Sequence, residues 1–138
     1  MDTWNRYTDA PFSVLEGATL AKVEVEVDVD GYGNRHTVRF VTVDGRVFEL
    51  YHTQDCCESV TVEDVAGDLD DLVGTPILLA EEALGDRPAD RPHGRGEWFE
   101  PNCETWTFYR LATVKGDVCI RWLGESNGYY SERVDFGL

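Results

Sequence analysis

One stretch of the chain alternates apolar and acidic residues so regularly that it restricts the fold to one that contains a sheet. "KVEVEVDVDG", which begins at Lys22, sets four valines against four carboxylates. A period of two is that of a half-buried β-strand, because successive side chains of a strand point to opposite faces. The stretch is therefore predicted to be a strand with one apolar face and one acidic face, the latter formed by Glu24, Glu26, Asp28 and Asp30.

Turn signals extend this strand into a meander. "DGYGN" precedes "RHTVRFVTV", which is rich in β-branched residues, and Asp44-Gly45 before "RVFEL" is a two-residue hairpin signal. The C-terminal third alternates as clearly, and Asn127-Gly128 is another turn dipeptide. The sequence predicts strands at 21–29, 36–43, 46–51, 58–65, 105–113, 117–123 and 129–136.

The predicted fold class is α+β, mainly antiparallel β, with two β-meanders and one or two short helices. We expect an N-terminal arm or short helix at 1–18 and a helical turn in "GDLDDLVG". "TPILLAEEAL" remains open between a buried strand and the start of a helix. Residues 85–103 are predicted to be a proline- and glycine-rich loop, and 138 residues suit one domain, 1–138.

Charge and hydropathy bear on the partners and the compartment. The formal net charge of −15, from 27 acidic and 12 basic residues, disfavours direct binding to nucleic-acid phosphates. The chain has no apolar run of membrane-spanning length, and its N-terminus lacks the features of a secretion signal. We therefore expect a cytoplasmic protein that does not bind membranes.

The segment "YHTQDCCESV", residues 51–60, concentrates groups that bind metals or act as nucleophiles. Zinc accepts ligands such as His52, Asp55, Cys56 and Cys57, but adjacent cysteines of an extended chain point in opposite directions. A thiol activated by His52 and oriented by Asp55 is a second reading, although the acidic surroundings disfavour a thiolate. We expect free thiols, no metal, no cofactor and no catalytic residue, and keep a metal- or thiol-dependent enzyme centred on 52–58 as the alternative.

Paired carboxylates elsewhere give no stronger case for an enzyme. Adjacent acids such as Glu81 and Glu82 cannot both face one substrate when they lie on a strand. Solvated faces or turn caps explain such pairs, so the sequence favours a protein without catalytic activity.

Two long strings of the sequence resemble a known family. "HTQDCCESVTVEDVAGDLDDLVGTPILLAEE" and "TWTFYRLATVKGDVCIRWLGESNGYYSERV", in this order, are similar to a family of small uncharacterised proteins, a domain of unknown function, encoded mainly by bacteriophages and prophages. The resemblance covers residues 47–136. It implies neither an established activity nor catalytic residues, and for a phage-encoded chain it implies the host cell cytoplasm.

The functional hypothesis is a non-enzymatic, acidic phage accessory protein that binds a host or phage protein. We expect "HTQDCCE" and "SNGYYSE" to lie close together in a partly exposed patch, since tyrosines and polar groups at loops suit binding. The predicted partner-binding residues are His52, Asp55, Glu58, Ser126, Asn127, Tyr129 and Tyr130.

Two other surfaces are kept as alternatives. The acidic stripe of the first strand could imitate a phosphate backbone and inhibit a DNA-binding protein, although Arg35 and Arg39 of the next strand would offset part of its charge. If the first patch is purely structural, binding is expected on this strand or around Trp98 and Phe99.

Overall fold

The chain forms two four-stranded antiparallel sheets in a computed structural model that describes residues 10–30, 33–53, 58–85, 103–126 and 132–138. The strands are β1 (Leu20–Asp30), β2 (Gly33–Thr42), β3 (Val47–Tyr51), β4 (Ser59–Ala66), β5 (Leu79–Gly85), β6 (Cys103–Thr113), β7 (Gly116–Ser126) and β8 (Asp135–Gly137). The first sheet has the order β1-β2-β3-β8, and the second has the order β4-β7-β6-β5.

The alternating stretch is β1, as predicted, and its pairing with β2 places an acidic residue opposite a basic one. Glu24 lies opposite Arg39, and Val25 lies opposite Val38, which is fully buried. The Arg39 guanidinium is 3.2 Å from a Glu24 oxygen, 2.7 Å from a Glu26 oxygen and 3.0 Å from a Glu49 oxygen. The predicted offset of the acidic stripe by Arg39 is therefore confirmed.

Inward-facing side chains of both sheets form one core, and a short 3₁₀ turn, Phe12–Leu15, packs against it. The Phe12 ring lies edge-on to three core aromatics, with centroid distances of 6.0 Å to Phe40, 4.8 Å to Tyr109 and 5.1 Å to Phe136. Each buried aromatic removes a large apolar area from water, so this cluster is a major source of the fold's stability.

The mainly antiparallel β prediction is confirmed, whereas helical structure is scarcer than α+β implies. Among the described residues it is limited to two four-residue 3₁₀ turns, Phe12–Leu15 and Leu69–Leu72, the second of which is the turn predicted in "GDLDDLVG". The segment left open, "TPILLAEEAL", contributes β5, whose Ala80 and Ala83 are the more buried positions of an otherwise exposed edge strand. The two faces of this edge strand differ too little in burial for an alternation of apolar and polar residues to develop. The sequence pattern therefore could not distinguish the strand from a helix.

The second meander consists of β5, β6 and β7, so the predicted strands at 105–113 and 117–123 are confirmed as β6 and β7, and β5 takes the place predicted for 129–136. The described part of 129–136 contains only β8, Asp135–Gly137, which pairs with β3 through Leu50 opposite Phe136. Both edges of β7 are already paired, with β4 on one side and β6 on the other. The C-terminal segment therefore crosses to the free edge of the first sheet, which sequence alternation alone does not reveal.

A β-bulge in β4 links the two sheets through a histidine. The register of β4 shifts between Val62 and Asp64, and the Val62 N–H donates a hydrogen bond of 3.0 Å to Nδ1 of His36 on β2. Nδ1 accepts this bond only while it is unprotonated. Burial lowers the pKa of His36 from 6.5, an effect that nearby Glu63 partly opposes.

We expect this histidine to make folding sensitive to mild acid. A lowered folded-state pKa means that the unfolded chain binds the proton first, so stability is complete above pH 6.5 and declines as the pH falls below it. Urea unfolding between about pH 7 and pH 5 should show a steeper loss for the wild type than for His36→Gln, whose amide oxygen accepts the same bond without titrating. Parallel pH profiles would contradict this assignment.

Candidate functional site

Three segments of the chain leave the second sheet at the same end. At this end Ser59 of β4 pairs with Glu125 of β7, and Cys103 of β6 pairs with Ser126 of β7. Gly85, the last residue of β5, lies opposite Trp106 near the start of β6. Residues 54–57, 86–102 and 127–131 join these strand ends to the rest of the chain, and we call this region the loop end of the second sheet.

Many of the predicted site residues belong to those three connections. Ser126 is placed in the backbone register opposite Cys103. The remaining ones lie outside the described residues, and their predicted roles stay predictions: Asp55, Cys56, Cys57, Trp98, Phe99, Asn127, Tyr129 and Tyr130.

His52 and Glu58, which flank one connection, form a buried pair beneath the loop end. They are only 9% and 4% exposed, so the expected partial exposure of His52 is wrong. His52 Nδ1 lies 2.7 Å from the Arg133 carbonyl oxygen, and its Nε2 lies 2.7 Å from a Glu58 carboxyl oxygen. A burial this complete is compatible with polar groups only because each finds a partner.

The carbonyl partner determines how many protons the pair holds. A carbonyl oxygen only accepts, so Nδ1 of His52 carries a hydrogen and donates it to Arg133. A 2.7 Å contact between Nε2 and Glu58 then requires one further proton between the ring and the carboxyl group. The pair therefore has no net charge: either His52 and Glu58 are both charged, or both are neutral. Its hydrogen bonds are complete without a metal ion or a substrate.

The same contact brings the two predicted binding segments together at their described flanks. His52 is the first residue of the first segment and Arg133 directly follows the second, and one hydrogen bond joins them. In addition, Val60 pairs with Gly124, so β4 and β7 enter the loop end side by side. The expected proximity of "HTQDCCE" and "SNGYYSE" is therefore supported at these flanks.

Gly124 allows the C-terminal segment to run directly over β7. A Cβ atom at this position would lie 2.7 Å from both the Cβ atom and the carbonyl oxygen of Glu132. Only glycine lets the backbone of residue 132 approach so closely without displacement. Glu132 is also held from the other side, since the Thr105 hydroxyl donates to its carboxylate at 2.6 Å.

A cavity of about 540 Å³ opens between β5, β6 and residues 132–134. Its charged wall includes Glu82, whose carboxylate accepts a 2.6 Å hydrogen bond from Tyr109, a fully buried residue. Glu81 faces the other side of β5, 3.6 Å from Arg110, as the strand argument for adjacent acids requires. The described lining comprises Glu82, Leu84, Thr105, Thr107, Glu132, Arg133 and Val134.

Sequence reasoning missed this cavity because its residues come from three distant parts of the chain. Alternation within β5 would have separated Glu82 from Glu81, but only once the segment was known to be a strand. Nothing in the sequence places residues 132–134 across β7.

Cys119 lies on the opposite, outer face of the second sheet. Val118, Ile120 and Trp122 are buried in the core, so their side chains share the inner face of β7. The thiol is free and half-buried, and burial raises its pKa, an effect that Arg110 and Arg121 only partly oppose. The raised pKa keeps Cys119 a thiol at neutral pH, which disfavours a nucleophilic role for it.

Possible metal ligands are dispersed over the described part of the chain. No group of three or more His, Cys, Asp or Glu side chains with the geometry of a metal site occurs within it. His52 contacts the carboxylate of Glu58, and the other ligands considered for zinc, Asp55, Cys56 and Cys57, lie outside the described residues.

Comparison with known proteins places the chain in a family. The family model of a domain of unknown function, DUF7448, matches residues 17–136. The chain belongs to this family. The match takes in β1 to β7 of this DUF7448 domain, the loop end and the cavity, and extends the recognised region upstream from residue 47.

Other comparisons add little to the assignment of this DUF7448 domain. Neither the curated proteins nor the solved structures contain a match to the chain. Among the described residues, none of the helices has the length and apolar character needed to cross a membrane.

Proposed function

We propose that this DUF7448 domain is a non-enzymatic, acidic accessory protein of phage origin that binds a host or phage protein through the loop end of its second sheet. The observation that carries the proposal is the His52 contact to Arg133, which ties the flanks of two polar segments to one rigid base. Binding residues commonly lie on loops held by such a scaffold. The expected setting is the host cell cytoplasm.

The charge of the chain supports a protein partner with a basic surface. A net charge of −15 raises the encounter rate with a positively charged protein and suppresses association with acidic ones. The tyrosines Tyr129 and Tyr130 would supply contact area at a low entropic cost. Neither contribution requires a reaction at the site.

The described histidines are also occupied in ways that favour binding over catalysis. His36 accepts the Val62 N–H, and His52 bridges Glu58 and Arg133. A general base needs a ring nitrogen that reaches the substrate. The alternative of a metal- or thiol-dependent enzyme thus depends on residues 54–57, and elemental analysis with a native thiol titration tests it directly.

Nucleic-acid mimicry by the acidic stripe receives less support. Glu24 and Glu26 share a face of β1, but both are bridged by Arg39. One guanidinium between two carboxylates makes the stripe less negative than a phosphate backbone, because a nucleic-acid strand has no positive groups of its own. Partner recognition at the loop end is therefore placed ahead of mimicry.

Affinity capture with matched variants tests the proposal. Immobilised wild-type protein should retain a specific host or phage protein, and Tyr129→Ala/Tyr130→Ala should reduce its capture by about tenfold at an unchanged Tm, as for aromatic interface anchors. Glu24→Gln/Glu26→Gln, on the outer face of the first sheet, should retain capture.

The opposite pattern would contradict the loop-end proposal. If the Glu24/Glu26 variant loses the partner and the tyrosine variant keeps it, the acidic stripe is the binding surface. Competition by duplex DNA for the same captured protein would then identify the mimic.

A further inference from the structure

The cavity beside β5 combines fixed negative charge with a nearly buried hydroxyl, that of Thr107, which has no hydrogen bond within the described residues. We infer that it receives a basic side chain, lysine or arginine, of the protein partner. The inference rests on the proposed function and specifies the chemistry that the partner must present.

Glu82 is a carboxylate held in place without a cation. Burial, and then the neighbouring Glu82, raises the pKa of Tyr109, so its phenol remains a hydrogen-bond donor. This donor fixes one oxygen of Glu82 at 2.6 Å. Within the described part of the chain no Lys, Arg or His side chain forms an ion pair with Glu82, which leaves its charge at the cavity wall available to a ligand.

Glu132 adds a second oriented carboxylate to the same wall. Thr105 donates to it at 2.6 Å, so the side chain is directed by the sheet rather than by solvent. Arg133 is the cation of the described lining, but its side chain is 81% exposed and its Nε lies 3.5 Å from Asp135. The described lining thus carries two carboxylates and one guanidinium, and this net negative charge favours a cation.

A nearly buried hydroxyl of the lining, and an indole N–H behind it, have no hydrogen-bond partner within the described residues. Thr107 lines the cavity at 4% exposure, and its hydroxyl has no hydrogen bond within the described residues. Trp122 is not one of the lining residues, but it lies opposite Thr107 in the register, and its buried indole N–H has no acceptor within the described residues. The Thr107 hydroxyl is therefore available to hydrogen-bond a ligand in the cavity, and Trp122 lies directly behind it.

The remaining lining suits the stem of a long basic side chain. Leu84 is 74% exposed and Val134 is buried, so an aliphatic chain passing between them would cover apolar surface. Lysine and arginine bury their methylene stems in this way while their charged ends find carboxylates. A volume of about 540 Å³ lies within the usual range for ligand pockets.

Capped amino acids test the inference without the partner. N-acetyl-lysine methylamide and N-acetyl-arginine methylamide are titrated into ¹⁵N-labelled protein, with N-acetyl-norleucine methylamide as the uncharged control. The Trp122 indole N–H resonance should shift with the basic probes and remain unchanged with norleucine. Glu82→Gln should weaken binding by about tenfold, because a charge-assisted hydrogen bond is lost.

Glu81→Gln provides the matched control. It removes the same charge from the adjacent residue of β5, on the face where Glu81 pairs with Arg110. Equal weakening by both substitutions would show non-specific attraction to an acidic protein and overturn the inference. Thr107→Val, which keeps the side-chain volume, should also weaken binding. If either Thr107→Val or Glu82→Gln leaves probe binding unchanged, the inference is likewise overturned.

The outcomes separate this inference from the proposed function. Probe binding that depends on Glu82, together with partner capture that is insensitive to Glu82→Gln, would keep the cavity and move the partner elsewhere. Partner capture that depends on Tyr129 and Tyr130 but no probe binding would keep the proposed function and reject the cavity.

Discussion

Replacing Glu58 by alanine is expected to lower the free energy of unfolding by about 3 kcal/mol, the cost of breaking a buried pair. The substitution removes the carboxyl partner at 2.7 Å from His52, which is buried and retains only its bond to Arg133. The Nε2 atom of His52 would then be buried without a partner. Urea denaturation measures the loss, and thermal unfolding should show a decrease in Tm of about 10 °C.

Glu58→Gln separates the missing hydrogen bond from the missing volume. Its amide N–H donates to Nε2 of a neutral His52, so the pair stays satisfied and the expected cost is about 1 kcal/mol. Glu81→Ala, at an exposed position, should cost no more than about 0.5 kcal/mol. If Glu58→Ala and Glu58→Gln are equally destabilising, the contact to His52 is not what stabilises this end of the sheet.

The buried pair also shows where sequence reasoning about a site stops. A histidine and a carboxylate six residues apart, with two cysteines between them, have the composition of a reactive site. What decides their role is the Arg133 carbonyl, 81 residues away in the chain, which occupies Nδ1. Composition reveals the groups that can react, but only the fold reveals that they already have partners.

The strands were predictable wherever one face is buried and the other is not. β1 and β7 alternate clearly because the core lies on one side of each, and Arg39 could be assigned to its acidic neighbours from register alone. β5 has no such contrast, since Leu79, Glu81 and Leu84 are all exposed at the sheet edge. The pairing of the C-terminal segment with β3 could not be predicted, because it depends on which sheet edge the other strands leave unpaired.

Gly124→Ala is expected to destabilise the fold by about 2 kcal/mol, the typical cost of overpacking. The new Cβ atom would lie 2.7 Å from two atoms of Glu132, one of which is its carbonyl oxygen, so the backbone of the C-terminal segment must move. Gly116→Ala is the matched control in the same strand. Its Cβ atom would meet the Asp71 carboxylate at 2.7 Å, and a carboxylate at the end of a side chain can rotate away.

A double-mutant cycle connects this glycine to the buried pair. Gly124 sets the path of residue 132, and Glu58 orients the His52 ring that donates to the carbonyl of residue 133, so both substitutions loosen the hold on the same segment. The combined cost of Gly124→Ala and Glu58→Ala should fall below the sum of the single costs by about 1 kcal/mol, since residues that share a backbone shift are coupled. The cycle is measured by urea unfolding of the four proteins. Strict additivity would mean that the two contacts anchor the segment independently, and the loop end would then lack the common base on which partner binding is proposed to depend.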